Sequence, residues 1–229
     1  MPEILVENNH LQALDAVERI EWALGHLPDT HALSSSFGVQ SAVSLHLLTQ
    51  AKADIPVILI DTGYLFPETY QYIDQLANRL KLNLQVFKSQ LSPAWLESRH
   101  GQLWNNGLEG IERYNQIMKV EPMKEALQAL NVKTWFSGIR NVQSDSRSHK
   151  QILETAGSVC KFNPIVDWSD RDVFMYMKKH QLPQHPLWNK GYISIGDTHT
   201  TRPMTAELDA DQVRFFGLKR ECGIHEMSI

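Results

Sequence analysis

Apolar positions along the chain alternate between short continuous runs and stretches with helical spacing. Leu11, Leu14, Val17, Ile20, Leu24 and Leu27 recur every three or four residues, which predicts one amphipathic helix over 11–27. Residues 32–36 read as a strand running into a loop, and 39–50 as the next helix. Pro56-Val57-Ile58-Leu59-Ile60 is a continuous apolar run, as expected of a strand buried on both faces, and it ends in the turn chemistry of Asp61-Thr62-Gly63. Residues 67–80 form a helix with Pro67 in its first turn, followed by a strand at 84–87, a helix at 121–130 and a strand into a loop at 134–138. Ser169 with Asp172 three residues later makes an approximate capping box for a helix that stops near His180, before Pro183. From His185-Pro186 to Pro203 the chain is rich in Gly, Thr and polar residues, a long ordered loop of the kind that carries function. A last short helix is expected over 209–216. Strands alternating with helices indicate an α/β fold: a largely parallel sheet with helices on both faces.

The 229 residues suffice for one sizeable core plus a shorter C-terminal segment, and the expected division falls at 1–205 and 206–229. A net charge of −4 argues against a broad nucleic-acid or anionic-membrane surface but leaves room for a local basic pocket. The first residues carry no basic region followed by an apolar stretch, and no apolar run approaches the roughly 20 residues of a membrane span, so a cytoplasmic location is expected. Cys160 and Cys222 form no CxxC pair and are expected as free thiols, too few to hold a four-thiolate metal or cluster site within one chain.

Three segments that follow strands have anion-compatible chemistry. Ser34-Ser35-Ser36-Phe37-Gly38-Val39-Gln40-Ser41 opens a helix with small residues, so backbone N–H groups can approach a phosphate; it is either such a loop or a serine-rich turn without a ligand. It lacks the Gly-Lys-Ser/Thr of a Walker loop. Asp61-Thr62-Gly63 sits where open α/β sheets bind ligands, with Asp61 either accepting from a ribose or adenine group or capping the next helix. Gly138 to Arg147 offers the guanidinium forks of Arg140 and Arg147 together with Gln143 and Ser144, with Lys150 close by; otherwise it is a solvated loop in which Arg pairs with Asp145. His185 and His199 are scattered and lack a Cys partner, so they are read as hydrogen-bonded loop residues rather than metal ligands. Cys222 follows Lys219 and Arg220, cations that stabilise a thiolate, whereas Cys160 lies in an apolar setting and is expected to be a small core residue.

Ser-Ser-Ser-Phe-Gly at 34–38, Asp-Thr-Gly-Tyr-Leu-Phe-Pro-Glu-Thr at 61–69 and Lys-Val-Glu-Pro-Met at 119–123 resemble motifs of the phosphoadenylyl sulfate reductase family. The resemblance continues through Gly-Ile-Arg at 138–140 with Gln143, Ser144 and Arg147, His-Pro-Leu-Trp at 185–188, Gly-Tyr-Ile-Ser-Ile-Gly-Asp at 191–197 and Glu-Cys-Gly-Ile-His at 221–225. It covers the chain from about residue 30 onward. It implies an adenine-nucleotide α-hydrolase-like fold with a phosphate loop related to that of ATP pyrophosphatases. In those relatives the loop carries Asp where this chain has Gln40, and an amide there can donate to a 3′-phosphate that a carboxylate would repel. The sister adenylyl sulfate reductases hold a [4Fe–4S] cluster on two cysteine pairs; the matching positions here are Tyr114 with Asn115 and Asp197 with Thr200, none of them a thiolate.

The resemblance further implies that 1–205 is the nucleotide-binding domain and 206–229 a mobile catalytic tail. Cys222 would attack the sulfo group of 3′-phosphoadenylyl sulfate, and thioredoxin or glutaredoxin would then release sulfite, with no bound cofactor and no metal. Lys119, Arg140, Arg147, Arg202, Arg214 and Arg220 are the expected cations, with His225 also at the site and Tyr192 positioning or hydrogen-bonding the sulfo group. The family suggests a homodimer in assimilatory sulfate reduction. Two alternatives stand: a cluster-free adenylyl sulfate reductase, and a pyrophosphatase-type adenylyltransferase.

Overall fold

The computed structural model describes residues 2–205, 212–219 and 221–226. The helix expected over 11–27 is α2 (Ala16–His26), and its first residues instead end a separate, unexpected helix α1 (Pro2–Gln12). The break is local chemistry. Asp15 accepts the N–H groups of Val17 and Glu18, and the Glu18 carboxylate takes the Asp15 N–H, a capping box that starts a new helix. The apolar period runs across the break because Leu11 and Ile20 are buried in one core.

Then follow β1 (His31–Ser34), α3 (Ser41–Ala51), β2 (Pro56–Ile60), α4 (Pro67–Leu80), β3 (Asn83–Phe87), α5 (Pro93–His100), α6 (Gly107–Asn115), α7 (Glu121–Ala129), β4 (Thr134–Ser137), β5 (Leu153–Ala156), β6 (Val159–Phe162) and α8 (Asp170–Lys179). No element was expected over α5, α6 or the β5–β6 hairpin, although α6 buries Gly110, Ile111 and Tyr114 on one face at helical spacing. A π-helical stretch, Gln116–Val120, joins α6 to α7. The Ser169 capping box is present at α8. Residues 209–211 lie outside the described residues, and the rest of the expected last helix is not α-helical. Arg214 forms a bridge with Thr201, and Phe215–Gly217 is a 3₁₀ turn. Phe215, Phe216 and Gly217 all have positive φ (47°, 58° and 79°), and L-residues do not continue a right-handed helix from there.

The six strands lie in the order β3-β2-β1-β4-β6-β5, all parallel except the β5–β6 pair. Side chains alternate between the faces. Leu33, Val57, Leu59, Phe136 and Phe162 meet α2, α3, α4 and α8, while Ala32, Ile58, Trp135 and Val159 meet α7. A satellite cluster of Leu96, Leu103, Trp104, Tyr114 and Met118 packs under Tyr64. The chain leaves β1 for β2 on one side and later returns to β4 on the other, so the carboxyl ends of β1 and β4 flank a topological switch point, where open α/β sheets open a crevice. Among the described residues no helix is long and apolar enough to cross a membrane.

Candidate active site

The three anion-compatible segments lie side by side, because β2, β1 and β4 are adjacent and parallel. After β1, Ser34 Oγ accepts from Trp135 Nε1 (2.8 Å), and Ser35 Oγ accepts the Phe37 N–H (3.1 Å). Phe37 is buried with φ of 51°, a left-handed residue that tightens the loop. Ser36 is exposed. Ser41 Oγ donates to Gly38 O (2.7 Å), and the side chain of the N-cap residue Gln40 does not cap α3, which leaves backbone donors at the end of an 11-residue helix.

After β2, Asp61 Oδ1 accepts the Gly63 N–H (2.8 Å) and the Tyr70 hydroxyl (2.7 Å). Gly63 has φ of 74°, and a Cβ there would stand 2.7 Å from Pro93 Cγ, so the turn requires glycine. Thr62 is buried and donates to Asp197 Oδ1 (2.5 Å). Asp197 also pairs with Lys119 Nζ (2.5 Å), both deeply buried, and the ammonium faces the rings of Tyr114 and Phe215. Burial pushes the Asp197 carboxyl up, but Lys119 and Thr62 override it and hold it down at about 2. The charge of Lys119 is thus directed at Asp197. In the sequence Asp197 closed the 191–197 motif and matched a position lacking a cluster thiolate, with no role assigned; its pairing with a lysine 78 residues away is a tertiary fact.

After β4, Arg140 is 1% exposed rather than solvated. It donates to Trp168 O (3.0 Å), to Asp170 (2.8 Å) and to Gln40 Oε1, while Gln40 Nε2 donates to Asp170 (3.1 Å). The Gln40 amide is therefore engaged by Arg140 and Asp170 in this arrangement. Gln143 Oε1 accepts from Arg147 and from the Arg140 N–H (3.1 Å). Arg147 does not pair with Asp145. Its fork grips Glu221 through Nε (2.8 Å) and Nη2 (2.7 Å), joined by Ser144 Oγ (2.9 Å) and Ser146 Oγ (3.2 Å). Glu221 was not singled out in the sequence; its adjacency to Cys222 was the available signal.

The described part of the tail is docked on the sheet. Ile224 joins the cluster under α7, and the His225 ring stacks on Trp135 (5.5 Å, 13°) with its carbonyl accepting from Lys161 Nζ (3.1 Å). Burial holds His225 well below the usual imidazole range, aided by Lys161, Arg147 and Lys150, and burial brings Lys161 to about 8. Cys222 is half-buried with a free thiol, on the wall of a cleft of about 280 Å³ that Asn115, Lys124 and Lys219 also line. Lys219 lies within 3.6 Å of Glu112 and 3.5 Å of Glu226. Arg220 lies outside the described residues.

The 185–203 loop is ordered. His185 is buried, bonded to Thr69 Oγ1 (3.1 Å) and the Leu187 N–H (3.1 Å), and burial lowers it to about 4. His199 stacks on Trp104 (3.7 Å between centroids) and is likewise lowered to about 4 by burial. Tyr192 meets Phe66 edge-on (5.4 Å), Arg202 is exposed over the Phe216 ring (5.0 Å), and Arg214 donates to Ser194 Oγ (3.2 Å) where Gly196 leaves it room. Cys160 is half-buried against the main core and burial raises its thiol pKa, a packing position rather than a reactive one.

A sequence profile of the phosphoadenosine phosphosulfate reductase domain matches residues 30–203. Curated phosphoadenosine 5′-phosphosulfate reductases of Serratia proteamaculans and Vibrio cholerae are each 58% identical to the chain, over 97% and 96% of its length and 91% and 87% of theirs. Among solved structures, a phosphoadenylyl-sulfate reductase of Candida auris in a phosphate complex superposes with a TM-score of 0.74 at 28% identity, covering 85% of this chain and 94% of that one. A Candida glabrata FMN adenylyltransferase shares the fold (TM-score 0.60, 15% identity, 85% and 67% covered). With its strand-end loops at the switch point and its Glu-Cys-Gly-Ile-His segment docked beside them, the chain belongs to the phosphoadenosine phosphosulfate reductase family.

Proposed function

We propose that the chain reduces 3′-phosphoadenylyl sulfate to sulfite and adenosine 3′,5′-bisphosphate through an S-sulfonated Cys222. The observation that carries this reading is the free, half-buried Cys222 thiol on a segment tied to the loop after β4. The thiolate sulfur forms a bond to the sulfo sulfur, and the bond from that sulfur to the phosphate oxygen breaks, its electron pair leaving with the nucleotide. A dithiol protein, thioredoxin or glutaredoxin, then attacks Cys222 Sγ; sulfite leaves with the electron pair, and the second thiol of the partner releases Cys222 as a thiolate. The dithiol is oxidised by two electrons and the sulfur is reduced by two.

In this reading the backbone and hydroxyls of Ser34, Ser35, Ser36, Gly38 and Ser41 take a phosphate, and Asp61, Thr62 and Gly63 border the nucleoside. Gln40 and Arg140 meet the 3′-phosphate, and Tyr192, Arg202 and Arg214 face the sulfo end. A cytoplasmic homodimer in sulfate assimilation, with no bound cofactor, completes the proposal.

Reduced enzyme mixed with 3′-phosphoadenylyl sulfate gains one sulfo group on Cys222 by intact and peptide mass spectrometry, and Cys222→Ser gains none and does not turn over while still binding nucleotide. Turnover without the adduct, or thioredoxin-dependent sulfite release by Cys222→Ser, overturns the mechanism. Faster sulfonation by adenylyl sulfate than by its 3′-phosphorylated form overturns the substrate assignment.

A further inference from the structure

The Glu221 carboxylate receives four charge-assisted or hydroxyl hydrogen bonds and is 6% exposed. The paired geometry of Arg147 Nε on Oε1 and Nη2 on Oε2 fixes both oxygens at once, which a single-point contact cannot do. Consecutive Cα atoms are about 3.8 Å apart, so a clamp on Glu221 limits where the Cys222 backbone can go. On the other side of the cysteine, Ile224 packs under α7 and His225 stacks on Trp135. Cys222 is therefore suspended between an ionic anchor and an apolar one, and the ionic anchor is its immediate neighbour.

The ionic anchor is part of the strand-end loops. Arg147 also donates to Gln143 Oε1, which accepts the Arg140 N–H, and the Arg140 side chain reaches Gln40 at the start of α3. One unbroken set of hydrogen bonds thus joins the residue before Cys222 to the loop after β4 and to the loop after β1.

We infer that Glu221 is a positioning residue, whose carboxylate, clamped by Ser144, Ser146 and Arg147, holds Cys222 in register with the strand-end loops. Arg147 and Ser144 then act on the reaction through the tail, and not as ligands of a substrate phosphate. This inference rests on Cys222 being the nucleophile. An ion pair that merely stabilised the fold would affect melting. A positioning clamp affects the rate of sulfur transfer at saturating nucleotide, because a misplacement on the order of 1 Å costs roughly 100-fold in rate.

The test compares wild type with Glu221→Ala, Glu221→Gln and Arg147→Ala in single-turnover sulfonation of Cys222 by 3′-phosphoadenylyl sulfate, followed by quenched mass spectrometry. Iodoacetamide labelling of Cys222 is followed in parallel, with Cys160 as internal reference. At saturation the Glu221→Ala rate is expected to fall about 10- to 100-fold with half-saturation within about threefold of wild type. Cys222 alkylation rises relative to Cys160, and the Glu221→Ala/Arg147→Ala double variant is no worse than either single one, as coupled residues require. Glu221→Gln keeps the side-chain shape and falls in between; it carries the test if the alanine variant is poorly folded.

Sulfonation of Glu221→Ala and Glu221→Gln at the wild-type rate overturns the inference. So does a rise in half-saturation for Arg147→Ala with an unchanged rate at saturation, which would make Arg147 a substrate ligand. A wild-type enzyme that turns over without an adduct on Cys222 instead refutes the reading of the cysteine itself.

Discussion

Replacing Asp197 by alanine removes one half of a buried charge pair and leaves the other half in place. Lys119 Nζ lies 2.5 Å from Asp197 Oδ2, with side-chain exposures of 8% and 1%, and Thr62 supplies the second contact to the carboxylate. The lost partner leaves an ammonium with little access to water. Breaking a pair of this kind by truncation costs about 3–5 kcal/mol. A chain of this length loses about 2–4 °C of melting temperature per kcal/mol, so Asp197→Ala is expected to melt roughly 6–20 °C below wild type. The Lys119→Met/Asp197→Leu double variant removes both charges and should recover most of that loss or exceed wild type.

The same pair sets an acid dependence. The Asp197 carboxyl is lowered from 3.8 to about 2, so its contribution is fully present above pH 3.8 and is lost as pH falls through about 2. The shift corresponds to about 2 kcal/mol. Thermal melts at pH 7 measure the first effect, and urea titrations of the three proteins at a series of pH values from about 5 down to about 2 measure the second. Asp197→Ala melting within about 2 °C of wild type, or the double variant melting below the single one, would refute the argument that the Lys119 charge is desolvated and dependent on Asp197.

Two further expectations concern stability. His185 and His199 are both held neutral by burial, with values lowered from 6.5 to about 4. Below pH 6.5 the unfolded chain therefore binds more protons, and stability is complete above 6.5 and lost as pH falls through about 4. For the fully buried His185 the loss is about 3 kcal/mol, and urea midpoints between pH 7 and 4.5 should fall less steeply in His185→Gln than in wild type. Asn115 is 3% exposed and, among the described residues, neither its amide nitrogen nor its amide oxygen is bonded, so Asn115→Leu, similar in volume, is expected to raise the melting temperature; a fall would show that the amide has a partner.

Period and punctuation made the sheet legible. The run at β2 and the Pro-initiated helix α4 coincide with their expected bounds, because a strand buried on both faces must be continuously apolar and a proline fits a first helical turn. The helix over 11–27 was misread because its apolar spacing carries across Asp15, where a capping side chain outweighs the period. The β5–β6 hairpin was missed because it is short and mixed in polarity, stabilised by pairing to β4 and not by a pattern of its own.

For the site, the sequence alone marked the three strand-end segments and the two cysteines, since turn chemistry, cationic neighbours and apolar context are all local. It could not tell which cation meets which anion. Arg147 has Asp145 two residues away and binds Glu221 instead; Arg140 is buried with Gln40 and Asp170; Lys119 is spent on Asp197. Partner choice depends on which loops the parallel sheet brings to one edge and on which charges lose their water there. Those are properties of the assembled fold, in which residues tens of positions apart become neighbours.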